Sequence, residues 1–331
     1  MGTFVVTGGA GFIGSNIAEG LTRRYPNHKV MICDYFGTGD KWRNTRNHPV
    51  DEIITPGELF YWLEMHGQEV EAIIHMGAIS STTETDADRI LEVNFALSKI
   101  LRLWAIKEQK RFIYASSAST YGDGMEGFDD DLSLHYQSRL KPLNTYGWSK
   151  QLFDFYVARS IHRGEQQPKQ WAGLKFFNVY GPNEYHKADQ MSVVCKIFPH
   201  ARAGRPVHLF KSYNPKYKDG GQLRDFIYVK DCVNVVLWLL DNPNVNGLFN
   251  VGTGEARSFE DLAKALFHAV GQQFRVQYDE MPDAIRGKYQ YHTEAKMDRL
   301  RAAGYTQPFH SIEEGVRDYV QKYLMKDDQY I

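Results

Sequence analysis

The stretch TGGAGFIG, Thr7 to Gly14, follows the apolar run Phe4-Val5-Val6 and sets glycines at positions 8, 11 and 14. Glycine at such a spacing serves a tight turn, or a backbone that a ligand must approach closely. The next segment, Gly14–Arg24, reads as a helix. The loop therefore places Gly11 to Gly14 at a helix N-terminus, where open amides and the helix dipole favour an anion such as a pyrophosphate. The second apolar run, Lys29–Cys33, ends in Asp34, 20 residues after Gly14. That is where a ribose-binding carboxylate belongs in a dinucleotide-binding unit. A third run, Ala72–His75, leads into Gly77-Ala78, small enough for a cofactor ribose to pass close to the backbone.

The first half keeps alternating. Leu59–His66 and Arg89–Lys107 have helical apolar spacing, and Phe112–Ala115 is another strand. The alternation predicts an α/β fold with a Rossmann-type, doubly wound parallel sheet. Leu174–Phe177 and Leu248–Val251 read as further strands, and Asp231–Leu240 as an amphipathic helix. Ser258 with Asp261 reads as a helix N-cap. The lysine-rich KSYNPKYKDGGQ reads as a surface loop. The expected division is a nucleotide-binding domain over 1–175, with later returns at about 225–255. A smaller substrate-binding lobe is interleaved over 176–331.

Lys and Arg number 39 against 40 Asp and Glu, a net charge of −1, which gives no basic field for nucleic acid or an anionic membrane. No apolar stretch approaches the ~18 residues that span a bilayer. The chain opens directly on a strand rather than on a leader pattern. Cys33, Cys195 and Cys232 are odd in number, far apart and without metal-ligand spacing. They suit a reducing cytoplasm, and no metal site is expected.

Ligands of open parallel sheets sit beyond the carboxyl ends of the strands. The strand Phe112–Ala115 ends in Ser116-Ser117-Ala118-Ser119, so these hydroxyls are expected to face the crevice. Some 30 residues on comes NTYGWSK, with Tyr146 and Lys150 four apart on one helix face. A tyrosine of pKa ~10 is a poor base at neutral pH. A lysine beside it and a positive nicotinamide favour the phenolate, and a serine can hold the substrate oxygen.

With these segments in place the chain resembles the extended short-chain dehydrogenase/reductase family. TGGAGFIG, YASSASTYG and YGWSK are the markers, continued by FFNVYGP, RDFIYVKD and FNVGTG. Within it the chain is similar to the ADP-heptose 6-epimerases through SSTTETD, FFNVYGPNEYHK, GKYQYHTEAKMDRLRAAGY and PFHSIEEGVRDYV. The resemblance implies an isomerase that epimerises an ADP-heptose at C6 with tightly held NADP, NAD being the alternative, for lipopolysaccharide core synthesis. It implies a homo-oligomer. By motif position, Gly8, Gly11, Phe12, Ile13 and Gly14 meet the pyrophosphate, and Asp34 and Tyr35 the adenosine ribose. Lys41 would neutralise a 2′-phosphate. Met76, Gly77, Ala78, Ile79 and Ser80 line the nicotinamide side, with Asn94 on the next helix. Ser117, Tyr146 and Lys150 form the redox centre. Lys187 falls at a second acid/base, with Asn178 and Val179 at sugar and cofactor. Arg224 and Tyr289 fall where the family grips the ADP portion. Phe210, Lys211, Ser212 and Tyr213 match a substrate-binding stretch, though the loop after it is longer here. Asp189 and Lys196 align with substrate positions that carry other residue types in the family.

Lys187, Lys196, Arg202, Arg224, Arg286 and Lys288 supply second-half cations that a diphosphate substrate needs. Three rivals remain. A 4,6-dehydratase of the family has Thr-Asp-Glu after the strand, where Ser117-Ala118-Ser119 offers no carboxylate. A 4-epimerase needs no second base. A non-catalytic NADP-binding sensor needs no Ser117, Tyr146 and Lys150.

Overall fold

The computed structural model describes residues 2–286 and 289–331, so Lys288 lies outside the described residues. Twelve strands are formed among them: β1 Thr3–Thr7, β2 Lys29–Cys33, β3 Glu52–Ile54, β4 Val70–His75, β5 Arg111–Ser117, β6 Gln170–Phe176, β7 Asn178–Tyr180, β8 Val207–Phe210, β9 Leu223–Tyr228, β10 Gly247–Val251, β11 Ala256–Ser258 and β12 Val276–Asp279. Seven make one sheet in the order β10-β6-β5-β4-β1-β2-β3. Every neighbouring pair in it is parallel. Strand order reverses at β1, so a crevice opens beyond the carboxyl ends of β1 and β4.

Helical crossovers cover both faces of this parallel sheet, so its strands are apolar on both sides. On one face, helices Phe12–Arg24 and Val229–Asp241 set Ile17, Leu21 and Val233 against Phe4, Val6, Ile32 and Ile74. On the other, helices Leu59–His66, Leu97–Lys107 and Thr145–His162 set Leu63, Leu101 and Phe153 against Val5, Ile73 and Phe112. Late segments thus return to the sheet: β10 pairs with β6, and Val229–Asp241 packs on Phe12–Arg24.

The other lobe has a three-stranded sheet, β11-β9-β7, and the parallel pair β12-β8. Its own core joins helices Val193–Arg202, Phe259–Ala269 and Ile312–Tyr319 through Phe198, Leu262, Leu266, Val316 and Tyr319. Ser258 and Asp261 form a full capping box, so the expected N-cap is present. Buried Asp225 of β9 accepts from the amides of Thr253 (2.7 Å), Gly254 (3.0 Å) and Ala295 (3.0 Å), tying β9 to two loops.

The structure departs from the single helix expected over Arg89–Lys107. The segment runs as α-helix Ala87–Ile90, a π-helical turn Leu91–Ala96, then α-helix Leu97–Lys107. The π turn carries Asn94, fully buried.

Candidate active site

A cavity of about 780 Å³ opens at the ends of β1, β4, β5 and β6, with the Tyr185–Gln190 turn along one side. Gly8, Gly11, Phe12, Ile13 and Gly14 line it. Gly8 has φ +67°, and a Cβ there would lie 2.6 Å from the Gly77 amide nitrogen. A Cβ on Gly14 would lie 2.1 Å from the Gly8 carbonyl oxygen. The loop is therefore packed backbone on backbone. Gly11 caps the following helix with no side chain over its end, which leaves the first-turn amides to a ligand. This cradle fits a diphosphate. Gly14→Ala is expected to displace the loop, costing ~1–3 kcal/mol of stability as overpacking does. A melting curve with a cofactor titration checks it; wild-type values in both would remove Gly14 from this role.

Asp34 lines the cavity, and Tyr35 turns to solvent outside it. Asp34 accepts from the Ala10 amide (3.0 Å) and from Lys41 Nζ (2.6 Å). Lys41 also lines the cavity and neutralises this carboxylate within the protein.

Met76, Gly77, Ala78 and Ser80 line the next stretch of wall. Ile79 and Asn94 do not reach the cavity. Instead, Asn94 accepts from the Ile79 amide (2.8 Å) and donates to its carbonyl (3.0 Å) and to Ser149 Oγ (3.0 Å). Ser149 donates in turn to the Tyr146 carbonyl (2.7 Å). A second relay starts at Ser98, which donates to the Asn94 carbonyl (2.6 Å). His75 Nε2 meets Ser98 Oγ at 2.8 Å, and His75 Nδ1 meets Thr7 Oγ1 at 2.6 Å. With Ser98 already donating, His75 donates from Nε2 and accepts at Nδ1. Burial holds this imidazole neutral, its pKa lowered to about 3. Two layers of hydrogen bonds thus fix the loop after β4.

Ser117 ends β5, and Tyr146 and Lys150 stand on helix Thr145–His162, whose N-cap Asn144 accepts from the Gly147 amide (2.8 Å). All three line the cavity. Burial raises the Tyr146 phenol, and a hydrogen bond with Ser117 acts against that. Lys150 donates to the Ala115 carbonyl (2.9 Å), and burial lowers it to about 8 against the pull of Asp154. The other two serines expected in the crevice behave differently. Ser116 also lines the cavity, but its hydroxyl is engaged in donating to buried Asp154 (2.6 Å), and Ser119 is outside the lining. Alternation along β5 sends Ser116 and Ser117 to opposite faces, which counting hydroxyls overlooks.

Asn178, Val179, Lys187 and Asp189 line the opposite wall. Lys187 sits 5.4 Å from the Phe12 ring centroid, and burial lowers its pKa against the attraction of Glu184. Buried Glu184 staples this segment: it accepts from the Ser192 amide and hydroxyl and from Tyr319 OH (3.1 Å). Lys196 donates to the Asp189 carbonyl (2.5 Å) and lies outside the cavity lining. Arg224 stacks 5.3 Å from Tyr289 and 5.6 Å from Phe259, which itself lines the cavity. Phe210, Lys211, Ser212 and Tyr213 stand further out. Lys211 pairs with Glu280 (2.6 Å), the Ser212 amide donates to Asp219 (2.7 Å), and Arg286 covers the Tyr213 ring at 3.9 Å. Arg202 lies on a separate surface depression with Cys195 and Phe198. The cations are therefore not gathered at one point.

Sequence reasoning passed over His186. It lines the cavity beside Lys187, and burial together with Lys41 and Lys187 lowers it to about 4. Its only signal was its place next to Lys187. Thr82 and Gln190, also on the wall, carried none.

The model of the NAD dependent epimerase/dehydratase family matches residues 4–252. An ADP-L-glycero-D-manno-heptose-6-epimerase of Nitratidesulfovibrio vulgaris is 47% identical over 331 residues, 99% of this chain and 100% of that protein. The ADP-L-glycero-D-manno-heptose-6-epimerase structure from Helicobacter pylori superposes with a TM-score of 0.80 at 29% identity, over 97% of this chain and 96% of that one. A Thermus thermophilus UDP-glucose 4-epimerase, solved with NAD, gives 0.72 at 26% identity over 96% and 97%. Among the described residues no helix is long and apolar enough to cross a membrane. Full-length likeness to named epimerases, together with a glycine cradle and a Ser117–Tyr146–Lys150 cluster around one cavity, makes the chain an epimerase belonging to the NAD-dependent epimerase/dehydratase family.

Proposed function

We propose that the chain interconverts ADP-D-glycero-β-D-manno-heptose and ADP-L-glycero-β-D-manno-heptose at C6. The observation that carries this reading is that Tyr146 and Lys187, two proton-transferring side chains on separate segments, line one cavity. The names of the full-length relatives support the substrate. When bound, the nicotinamide supplies reversible two-electron oxidation of a carbinol. The chain's own residues do the rest. Tyr146 takes the C6 hydroxyl proton, Ser117 orients that oxygen, and Lys150 supplies positive charge beneath the phenol. Inversion demands that the 6-ketone show its other face, which rotation about C5–C6 allows. The oxygen then arrives at a new place, and Lys187 gives it a proton there. Incubating the protein with synthetic ADP-heptose and following the C6 epimers by NMR tests the reading. Absence of epimer exchange would end it.

The cofactor in this reading is NADP. Lys41 pairs with Asp34 at the ribose end and offers its charge to a 2′-phosphate. Lys41→Ala is expected to weaken NADP more than NAD in titrations of the apoprotein. Equal loss for both would remove Lys41 from this role. The same reading sets the enzyme in the cytoplasm, in the synthesis of lipopolysaccharide core heptose. Three free cysteines support that compartment. It also makes the enzyme a homo-oligomer, which agrees with the exposed Ile100 and Leu103 on helix Leu97–Lys107.

A further inference from the structure

Below the redox cluster lies a salt bridge that none of the roles above uses. Asp154 and Lys175 meet at 2.8 Å, and both side chains are 0% exposed. Asp154 is one helical turn beyond Lys150, on the same face. It also accepts from Ser116 Oγ (2.6 Å) and Tyr114 OH (3.1 Å) of β5. Lys175 of β6 lies beside Ser116 in the sheet register. Its Nζ donates to Thr120 Oγ1 (2.6 Å) and sits 4.7 Å from the Tyr121 ring centroid. Thr120 donates to the Ser117 carbonyl (2.8 Å). The bonds run from the helix of Tyr146 and Lys150, through the ion pair, to the turn that carries Ser117.

Taking two charges out of water is costly, and such a pair contributes little net stability compared with an apolar replacement. Here every charged atom pair is satisfied and aimed at the parts of one site. We propose that Asp154 and Lys175 are positioning residues of the redox centre: a neutralised carboxylate under Lys150 that also locks the Ser117 turn to the Tyr146 helix. Lys175 cancels the charge of Asp154, so that Lys150 does not collapse onto it and keeps its bond to the Ala115 carbonyl. The groups facing Lys150 are few. Asp154 acts on it from the same helix and neutral His75 from β4, while Lys175 of β6 meets Asp154. Asp130 lies beyond Tyr121. The proposal rests on the redox reading of Tyr146 and Lys150, and not on the identity of the sugar.

The test tracks the Lys150 amine by NMR in lysine-labelled, NADP-saturated protein without sugar, the signal assigned by its loss in Lys150→Arg. In Lys175→Met the carboxylate is unbalanced, and the Lys150 midpoint is expected to rise by roughly one pH unit, the scale of a single charge at an effective dielectric of about 20. Lys175→Arg should leave it in place. The double variant Asp154→Asn/Lys175→Met should restore it. Should Lys175→Met fail to fold, Asp154→Asn is expected to move the midpoint down by a similar amount. A purely structural pair would lower the melting temperature in each case and leave the midpoint alone. An unmoved midpoint in the single variants, or a double variant that does not return to wild type, overturns the proposal. Failure to turn over ADP-heptose would remove the proposed substrate and leave this result standing.

Discussion

Tyr146→Phe is expected to lose ~10²–10⁴-fold in turnover, the range for a lost general acid–base group. The phenol lines the cavity, on a helix whose first turn is capped by Asn144 and tied to Asn94 through Ser149. Removing one oxygen leaves the ring and these bonds in place, so the nicotinamide cofactor should still bind. The loss should fall on kcat, because the proton is moved only as the carbinol is oxidised. Turnover near wild type would show that another group takes the proton.

Lys187→Met is expected to lose epimerisation by ~10²-fold or more while keeping one redox direction. The side chain belongs to the Tyr185–Gln190 turn, which Glu184 pins from below, so the variant should keep its loop. Methionine matches the length of the lysine stem without its charge. An ADP-sugar ending in an aldehyde at its exocyclic carbon separates the two half-reactions in a dismutation assay. With that analogue, Tyr146 alone should still support one direction. Epimerisation unchanged by the substitution would sink the assignment of Lys187 as the second acid/base.

What could be read ahead of the structure was local. The glycine loop, Asp34 at the end of β2, and Tyr146 with Lys150 one turn apart all sit within single elements or single connections. Their chemistry comes from spacing along the chain. The second lobe was opaque for the opposite reason. β7 and β11 have three residues each, and β9 is joined to them across gaps of tens of residues. Such strands carry too few side chains for a period to show. Asp154 and Lys175 meet only because helix Thr145–His162 packs on β5 where β6 runs alongside. A lysine in a buried strand has no linear signal naming its partner. The π turn was missed because its apolar residues keep roughly helical spacing while the hydrogen bonds widen by one residue.

Deleting one residue from Leu91–Ala96 would let Ala87–Lys107 run as uniform 3.6-residue turns, and by local propensity that is the better helix. A π turn holds one residue more than an α turn over nearly the same rotation, so the deletion would leave the two flanking helices close to register and remove only the extra width of the turn. That width is what presents Asn94 to Ile79. The Ile79 amide would lose its acceptor, at a cost of roughly 1–3 kcal/mol for a buried donor left unpaired. A change of side chain at exposed Glu92, by contrast, touches none of these bonds. This stretch therefore tolerates spelling changes on its outer face but not a change of length, and any stabilising redesign that straightens it would release the loop after β4 from the wall of the cavity.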